Sequence, residues 1–325
     1  MAESLGKRAF ITGIAGFAGS HLAEYLLGAG YEVSGLSLPE GGTRNIEGIR
    51  PQIQLYLGTL EDSAWLRSVL AEARPDFVFH LAAQAAVPQA WAAPGPTLVN
   101  NILGELNLIE ALLALEMRPR LLIIGSADEY GLVRPEELPV RETNPLRPNN
   151  PYSVSKIAQD YLGYQYFLSH RLPVVRLRPF THIGPRQGPG FVSADFAKQI
   201  AEAEAGLRPA VLRVGNLSAR RDFSDVRDMV RAYAMALERG EPGEVYNVGS
   251  ERSYSIQEVL EILLGFSRVP LQVEPDPARL RPSDVPEIVS DCTKFRMRTG
   301  WHTTYTLQDS LHDVLEYWRK RVREA

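Results

Sequence analysis

The chain has 325 residues, 45% of them hydrophobic, 23% charged and 9% aromatic, an ordinary globular composition at a length that suggests two domains or one large one. Formal net charge is −4 with both signs interleaved, so nothing points to a nucleic-acid or polyanion partner. The lone Cys292 excludes an internal disulfide, no Cys/His cluster has zinc-ligand spacing, and no apolar run approaches the roughly 18 residues that suggest a membrane span.

The opening residues, MAESLGKRAFITG, run straight into a strand-like segment and leave no room for a signal peptide. The expected location is therefore cytoplasmic. RAFITG reads as a strand and FAGSHLAEYLLGAG as a helix ending at glycine. Between them lie Gly13, Gly16 and Gly19, spaced G-x-x-G-x-x-G. A tight strand-to-helix turn of this kind lets backbone approach a pyrophosphate at a helix N-terminus. A glycine triplet alone also serves plain packing, but here it stands at the first strand–helix junction, the context a dinucleotide requires.

YEVSGLSL and IQLYLG read as the next strands. After the second strand an acid would hold a ribose 2′-hydroxyl and an arginine a 2′-phosphate. The chain offers Ser37-Leu38-Pro39-Glu40, with Arg44 further on. The missing acid tilts the choice towards NADP(H), with NAD(H) open because Glu40 could reach back. SAWLRSVLAEARP, the strand DFVFHLAA, a helix over 97–116 and the strand RLLIIGS follow. This alternation predicts an α/β fold, a parallel sheet with helices on both faces.

NPYSVSK then starts a helix and places Tyr152 and Lys156 one turn apart. The strand VVRLRPF, the Gly/Pro-rich THIGPRQGPG and a last strand in EVYNVGS, 244–250, complete the rhythm. FVSADFAKQIAEAEAG reads as a helix, AVLRVGNLSARRDF as a short strand and turn, and 255–290 as a helix among Pro-rich loops. They suggest a smaller second domain made of two separated segments.

With TGIAGFAG, HLAAQAAV, GSADEYG, NPYSVSK and RPFTHIGPRQ in this order, the chain resembles the extended short-chain dehydrogenases/reductases, in their nucleotide-sugar branch. It is most similar there to the GDP-4-keto-6-deoxymannose reductases, with the GDP-mannose 4,6-dehydratases as near relatives. The resemblance continues through GFVSADFAKQI, VGNLSARRDFSDVRD and RPSDVP. It implies a Rossmann-type doubly wound sheet over 1–179 and 223–250, and a smaller α/β nucleotide-sugar-binding domain over 180–222 and 251–325.

The resemblance also implies roles. Tyr152 would give a proton to the sugar C4 oxygen, Lys156 would hold the nicotinamide ribose and favour the phenolate, and Ser126 would hydrogen-bond the same oxygen. The cofactor would lie against Gly13, Gly16, Phe17, Ala18, Ser37, Leu60, Leu81, Ala82 and Ala83, together with Tyr152 and Lys156. On the substrate side, Arg221 and Arg281 resemble the pair that grips a nucleotide-sugar diphosphate, for which a planar fork is suited. Asp284 would hold the nucleotide ribose, and Asn216, Lys198, Phe191, Val192 and Thr181 would line the pocket. Arg220 reads as a surface charge and His182 as structural.

Two departures stand out. Relatives usually have Asn where this chain has Thr181, and often a D-x-x-D pattern where it has Gly58-Thr59-Leu60-Glu61-Asp62. Dehydratases of this branch carry a glutamate base two residues after the Ser/Thr position; here that place holds Asp128, followed by Glu129. Aspartate is shorter by a methylene and would misplace a base by roughly an angstrom, which can cost about 10²-fold. The expected activity is therefore NAD(P)H-dependent reduction of a GDP-4-keto-6-deoxyhexose, with dehydration or epimerisation as the alternative. A non-catalytic dinucleotide-binding protein is the third reading, though such proteins often lose the tyrosine or lysine retained here. Helices 97–116 and 151–169 carry more apolar residues than one buried face needs, and in the family they pair across a twofold axis, implying a homodimer.

Overall fold

The computed structural model describes residues 7–280 and 285–324. In chain order the first half contains β1 (Arg8–Thr12), α1 (Phe17–Gly28), β2 (Glu32–Ser37), β3 (Ile53–Leu57), α2 (Ser63–Ala73), β4 (Phe77–His80), α3 (Val87–Ala92), α4 (Pro94–Leu98), α5 (Gly104–Ala114), β5 (Arg120–Ile124), α6 (Pro151–His170) and β6 (Val174–Pro179). The second half contains β7 (Thr181–Ile183), α7 (Val192–Glu204), β8 (Val211–Val214), β9 (Arg220–Asp225), α8 (Val226–Arg239), β10 (Val245–Val248) and β11 (Ser253–Ser255). It ends with α9 (Ile256–Gly265), β12 (Gln272–Pro275), β13 (Glu287–Ile288), α10 (Thr293–Thr299) and α11 (Leu307–Arg323).

Seven strands form a wholly parallel sheet in the order β10-β6-β5-β4-β1-β2-β3. Alternate residues of β1 face opposite layers, as the period of a strand demands. Ile11 joins Leu22, Leu26, Val230 and Leu237 under α1 and α8, whereas Phe10 joins Leu66, Leu70, Leu108 and Leu112 under α2 and α5. The expected doubly wound α/β sheet is therefore present. Winding reverses between β1 and β4, and a crevice at such a switch point is where this architecture binds ligands.

A second assembly surrounds β9, which pairs with β7, β11 and β13, while β8 pairs with β12. Its core is built from α7, α9 and α11 through Ala197, Ile200, Leu260, Leu311 and Leu315. Phe295 and Trp301 belong by sequence to the 251–325 segment, yet they pack with Tyr246 in the cluster beneath the large sheet.

Two local readings are corrected. The helix expected over 97–116 is interrupted by one wide turn, Val99–Leu103, between α4 and α5. Asn101 inside that turn accepts from the Gln84 N–H at 2.8 Å and donates to the Gln84 carbonyl at 3.1 Å and to Ser155 Oγ at 2.9 Å. These bonds stitch the turn to α6 and to the segment after β4. The span AVLRVGNLSARRDF supplies two strands, β8 and β9, rather than one.

Candidate active site

The glycine turn is built by steric exclusion. Gly13 has a φ of +72°, and a Cβ there would lie 3.1 Å from the Ala82 Cα. A Cβ at Gly19 would overlap the Gly13 carbonyl oxygen, so α1 can pack close to β1 only with glycine there. Gly13 and Ile14 N–H both reach the Leu36 carbonyl, at 2.9 and 3.1 Å, which fixes the turn to the end of β2. Gly16 caps α1 without a side chain, so the first-turn N–H groups of Phe17 and Ala18 start the helix with no partner inside it. This backbone cradle fits a dinucleotide pyrophosphate.

Thr12 and His80 end β1 and β4 at the switch point and pair in register. The Thr12 hydroxyl accepts from the N–H groups of Leu81 and Ala82 at 3.1 and 3.0 Å, holding the 81–83 segment against the crevice. Leu60 packs beside Gly104, and its carbonyl accepts from Asn107 at 2.9 Å. Ser37 is buried at the end of β2, where its carbonyl accepts from the Gly58 N–H at 3.0 Å. Beyond it Glu40 is exposed, and the Arg44 guanidinium pairs with Glu324 of the C-terminal helix end at 2.7 Å.

The acid–base residues converge on the next strand. Asn150 caps α6 by accepting from the Ser153 N–H at 2.9 Å, with Pro151 at the first helical position. That start points Tyr152 and Lys156 inward, and both are buried. Opposite them Ser126 ends the β5 strand run and opens a short turn, where its Oγ accepts from the Asp128 N–H at 3.1 Å. Burial, and next the Asp128 carboxylate, push the Tyr152 phenol above the usual tyrosine range, while hydrogen bonding with the Ser126 hydroxyl pulls it down. Lys156 Nζ is directed at the Ile124 carbonyl, 2.8 Å, and Gln159 Oε1, 2.9 Å, and stands 5.9 Å from the Tyr152 ring centre. Burial thus favours the protonated phenol, the form a proton donor needs.

Several supporting residues carry no role in the sequence reading because their partners lie far along the chain. Gln159 Nε2 meets His80 Nε2 at 3.3 Å, and His80 Nδ1 meets the Thr12 hydroxyl at 2.9 Å, so one buried line runs from Lys156 to the cofactor crevice. Glu129 is fully buried; its Oε1 accepts from the Ser126 N–H at 2.8 Å, and its Oε2 lies 2.9 Å from Arg178 Nε. Arg178 also binds Asp160, 2.6 Å, which in turn pairs with Arg176. Burial lowers the Lys156 ammonium to about 8, opposed by Glu105 and Glu129.

The substrate-side candidates occupy the second assembly. Thr181 lies in β7 opposite Phe223, Phe191 caps α7, and Val192 begins it. Lys198 is 3.4 Å from Glu202, and Asn216 accepts from the Ser218 N–H and hydroxyl at 3.0 and 2.8 Å. Arg221 sits in β9 and donates to the Val285 and Arg220 carbonyls at 2.7 and 2.8 Å. Arg220 faces Glu258 and Glu287 at 3.3 and 3.5 Å. Arg281 and Asp284 lie outside the described residues. His182 stacks on Phe17 of the glycine turn, centroids 5.8 Å apart, bridging the two assemblies.

Comparison with known proteins adds chemical identity to this geometry. The family model for GDP-mannose 4,6 dehydratase matches residues 10–314. GDP-6-deoxy-D-mannose reductase of Pseudomonas aeruginosa is 38% identical over 318 residues, covering 98% of this chain and 99% of that protein. The structure of RMD from Pseudomonas aeruginosa complexed with NADPH superposes with a TM-score of 0.83 at 36% identity, covering 97% of this chain and 99% of the other. The UDP-glucose 4-epimerase of Thermus thermophilus in complex with NAD gives 0.85 at 32% identity, covering 96% and 99%.

Proposed function

The chain belongs to the GDP-mannose 4,6-dehydratase family of extended short-chain dehydrogenases/reductases, and from that premise we propose that it reduces the C4 ketone of a GDP-4-keto-6-deoxyhexose to a GDP-6-deoxyhexose of the GDP-rhamnose type. The observation that carries this reading is the pairing of two donors, the Ser126 hydroxyl and the protonated Tyr152 phenol, on one side of a nucleotide crevice. A ketone oxygen placed between them gains a hydrogen bond from Ser126 and a proton from Tyr152. NADPH, or NADH in its place, supplies the hydride when bound. The glycine cradle and Leu81–Ala83 hold the dinucleotide, and Lys156 keeps positive charge behind the phenol.

The dehydratase is the second reading, favoured by the carboxylate of Asp128 beside Tyr152. That reaction must also remove a C5 proton and expel the C6 hydroxyl. Supplying purified protein with NADPH and GDP-4-keto-6-deoxymannose separates the two. Oxidation of NADPH with formation of a GDP-6-deoxyhexose supports the reductase. Conversion of GDP-mannose alone to a 4-keto-6-deoxy product replaces it with the dehydratase, and neither reaction removes both.

The proposal extends to assembly and location. No helix among the described residues is long and apolar enough to cross a membrane. We place the protein in the cytoplasm as a homodimer, with the nucleotide domain over 1–179 and 223–250 and the sugar-nucleotide domain over 180–222 and 251–325. Arg221, Arg281, Asp284, Asn216, Lys198, Phe191, Val192 and Thr181 hold the GDP-sugar in this reading.

A further inference from the structure

Asp222 follows Arg221 in β9, and on a strand the two side chains take opposite faces. The Asp222 carboxylate is fully buried and gathers five donors. Its Oδ1 accepts from the Ser250 N–H and hydroxyl at 2.7 and 2.6 Å. Its Oδ2 accepts from the Glu251 N–H at 3.1 Å, and from the Ser290 N–H and hydroxyl at 3.1 and 2.5 Å. Burial raises the carboxyl above the usual carboxylate range, and the bonds from Ser250 and Ser290 oppose that rise. The packing is equally close. A Cβ on Gly249 would stand 2.5 Å from Ser290 Oγ and 2.7 Å from Asp222 Oδ2, so glycine is what lets these chain segments meet.

The segments come from different parts of the molecule. Ser250 follows the end of β10, the edge strand of the seven-stranded sheet. Ser290 follows β13, whose Ile288 lies in register with Arg221, and Arg221 donates to the Val285 carbonyl at the head of that segment. Ser290 is held in turn by the excursion that leaves the Ser126 turn. Val140 donates to the Val289 carbonyl and accepts from the Asp291 N–H, both at 2.8 Å. The Val140 carbonyl also accepts from Asn247 Nδ2 at 2.9 Å, and Asn247 Oδ1 accepts from the Tyr130 hydroxyl at 2.6 Å.

Tyr130 belongs to the turn that Ser126 opens, and Tyr130, Val140, Asn247 and Ser290 are all buried. Ile288 packs with Tyr130 and Val140 in one apolar cluster. The turn that presents the Ser126 hydroxyl is thereby joined to the strand that presents Arg221 by consecutive buried contacts, with Asp222 the last of them. The five bonds of Asp222 go to backbone and serine donors, so its effect on the chemistry passes through the groups it holds.

We propose that Asp222 is a positioning residue that sets the spacing between Arg221 and the donor pair Ser126 and Tyr152. The inference rests on the functional reading above, in which Arg221 grips the diphosphate and the C4 ketone meets the two donors. A nucleotide sugar held at its diphosphate presents its ketone at a distance fixed by its own bonds. The protein has to keep the same distance between anchor and donors, and an error of about an angstrom costs roughly 10²-fold in rate. The pairings of β9 with β7 and β11 do not involve the carboxylate. The grip on the nucleotide therefore survives loss of the Asp222 bonds, whereas its spacing from the donors does not.

The test is Asp222→Asn, which keeps the shape but turns an NH2 group towards backbone donors that need an acceptor. GDP affinity by calorimetry and NADPH affinity by fluorescence should stay within about twofold of the wild-type values, while turnover of GDP-4-keto-6-deoxymannose at saturation falls by about 10²-fold. In a Tyr152→Phe background the same substitution should cost less than about tenfold, because the phenol it misaligns is already gone. Gly249→Ala forces the junction apart without removing a bonding group and should reproduce the pattern. An equal fall in both backgrounds, or a loss of GDP affinity alongside turnover, makes Asp222 a purely structural residue and overturns the proposal. Should Asp222→Asn and Gly249→Ala both fail to fold, Ser290→Ala, which keeps its backbone donor, is read in the same way. Wild-type protein that acts on neither GDP-4-keto-6-deoxymannose nor GDP-mannose removes the functional reading and this inference with it. Wild-type turnover that the variants leave intact removes this inference alone.

Discussion

Lys156 of α6 hydrogen-bonds the carbonyl of Ile124, 2.8 Å away, on the strand that runs into Ser126. The bond crosses the site and fixes the helix that carries the phenol against the strand that carries the hydroxyl. Their separation is therefore a property of the core rather than of a loop. Preorganised donors of this kind avoid reorganisation when charge develops on the substrate oxygen.

Tyr152→Phe removes the proton and keeps the ring. Turnover is expected to fall by about 10²–10⁴-fold, the usual weight of a positioned general acid. NADPH binding, followed by fluorescence quenching, should stay within about twofold, since the glycine cradle and Lys156 are untouched. Turnover close to the wild-type value would reduce Tyr152 to a helix residue.

The ion network beneath Ser126 gives an asymmetric prediction. Arg178 serves both Glu129 and Asp160, and all three are buried. Arg178→Met leaves Glu129 without its cation and Asp160 with Arg176 alone, and breaking such a pair typically costs about 3–5 kcal/mol. Urea unfolding of Arg178→Met should show a loss of this size. Adding Glu129→Leu should restore part of the stability, because it removes the buried acid left without a cation. It should not restore turnover, since the Ser126 N–H loses the acceptor that fixes the turn at 2.8 Å.

The His80 imidazole predicts the acid limb of stability. Burial lowers its pKa to about 3, against roughly 6.5 in an unfolded chain. Above 6.5 neither state is charged there, and the group contributes nothing to the pH dependence. As pH falls below 6.5 the unfolded chain takes up a proton that the fold refuses, so stability declines until pH 3. Integrated to pH 4, the loss is roughly 3 kcal/mol. His80→Gln should begin less stable, having lost the bond to Thr12, yet show a shallower decline between pH 6.5 and 4 in urea titrations. Parallel declines would place the acid sensitivity elsewhere.

Much of this arrangement was legible in the residues because the signals were local. The glycine turn, the alternating strands and the Tyr152–Lys156 spacing each lie within a few positions, and each reflects one steric or periodic requirement. The parts that escaped reading depend on distant partners. Glu129 becomes a buried anchor only because Arg178, on β6, folds beside it. Glu105 reads as an ordinary polar residue of an apolar helix, yet it is fully buried just after the wide turn at Val99–Leu103. Helix α8 was not among the elements the rhythm predicted, although it covers one face of the sheet. Arg221 could be singled out by resemblance, but its bonds to the Val285 carbonyl depend on a segment 64 residues later in the chain.

The outer face of α6 yields the last prediction. Tyr152 and Lys156 face inward, whereas Val154, Tyr161 and Leu168 on the same helix are 46, 53 and 50% exposed, and Leu103 beside α5 is 45% exposed. Scattered apolar exposure is ordinary, but four large exposed side chains on two neighbouring helical elements make a candidate face. Two copies related by a twofold axis would cover it isologously, each helix pair meeting its own image. A stable contact requires about 1,200–2,000 Å² in total, which a four-helix arrangement can provide. Light scattering at micromolar concentration is expected to give a dimer for the wild-type protein and a monomer for Val154→Glu combined with Leu103→Glu. Because those positions face away from the phenol, the monomer should retain NADPH binding, although the loss of support behind α6 should lower turnover. A wild-type monomer under these conditions would leave the apolar face without its partner and remove the dimer from the proposal.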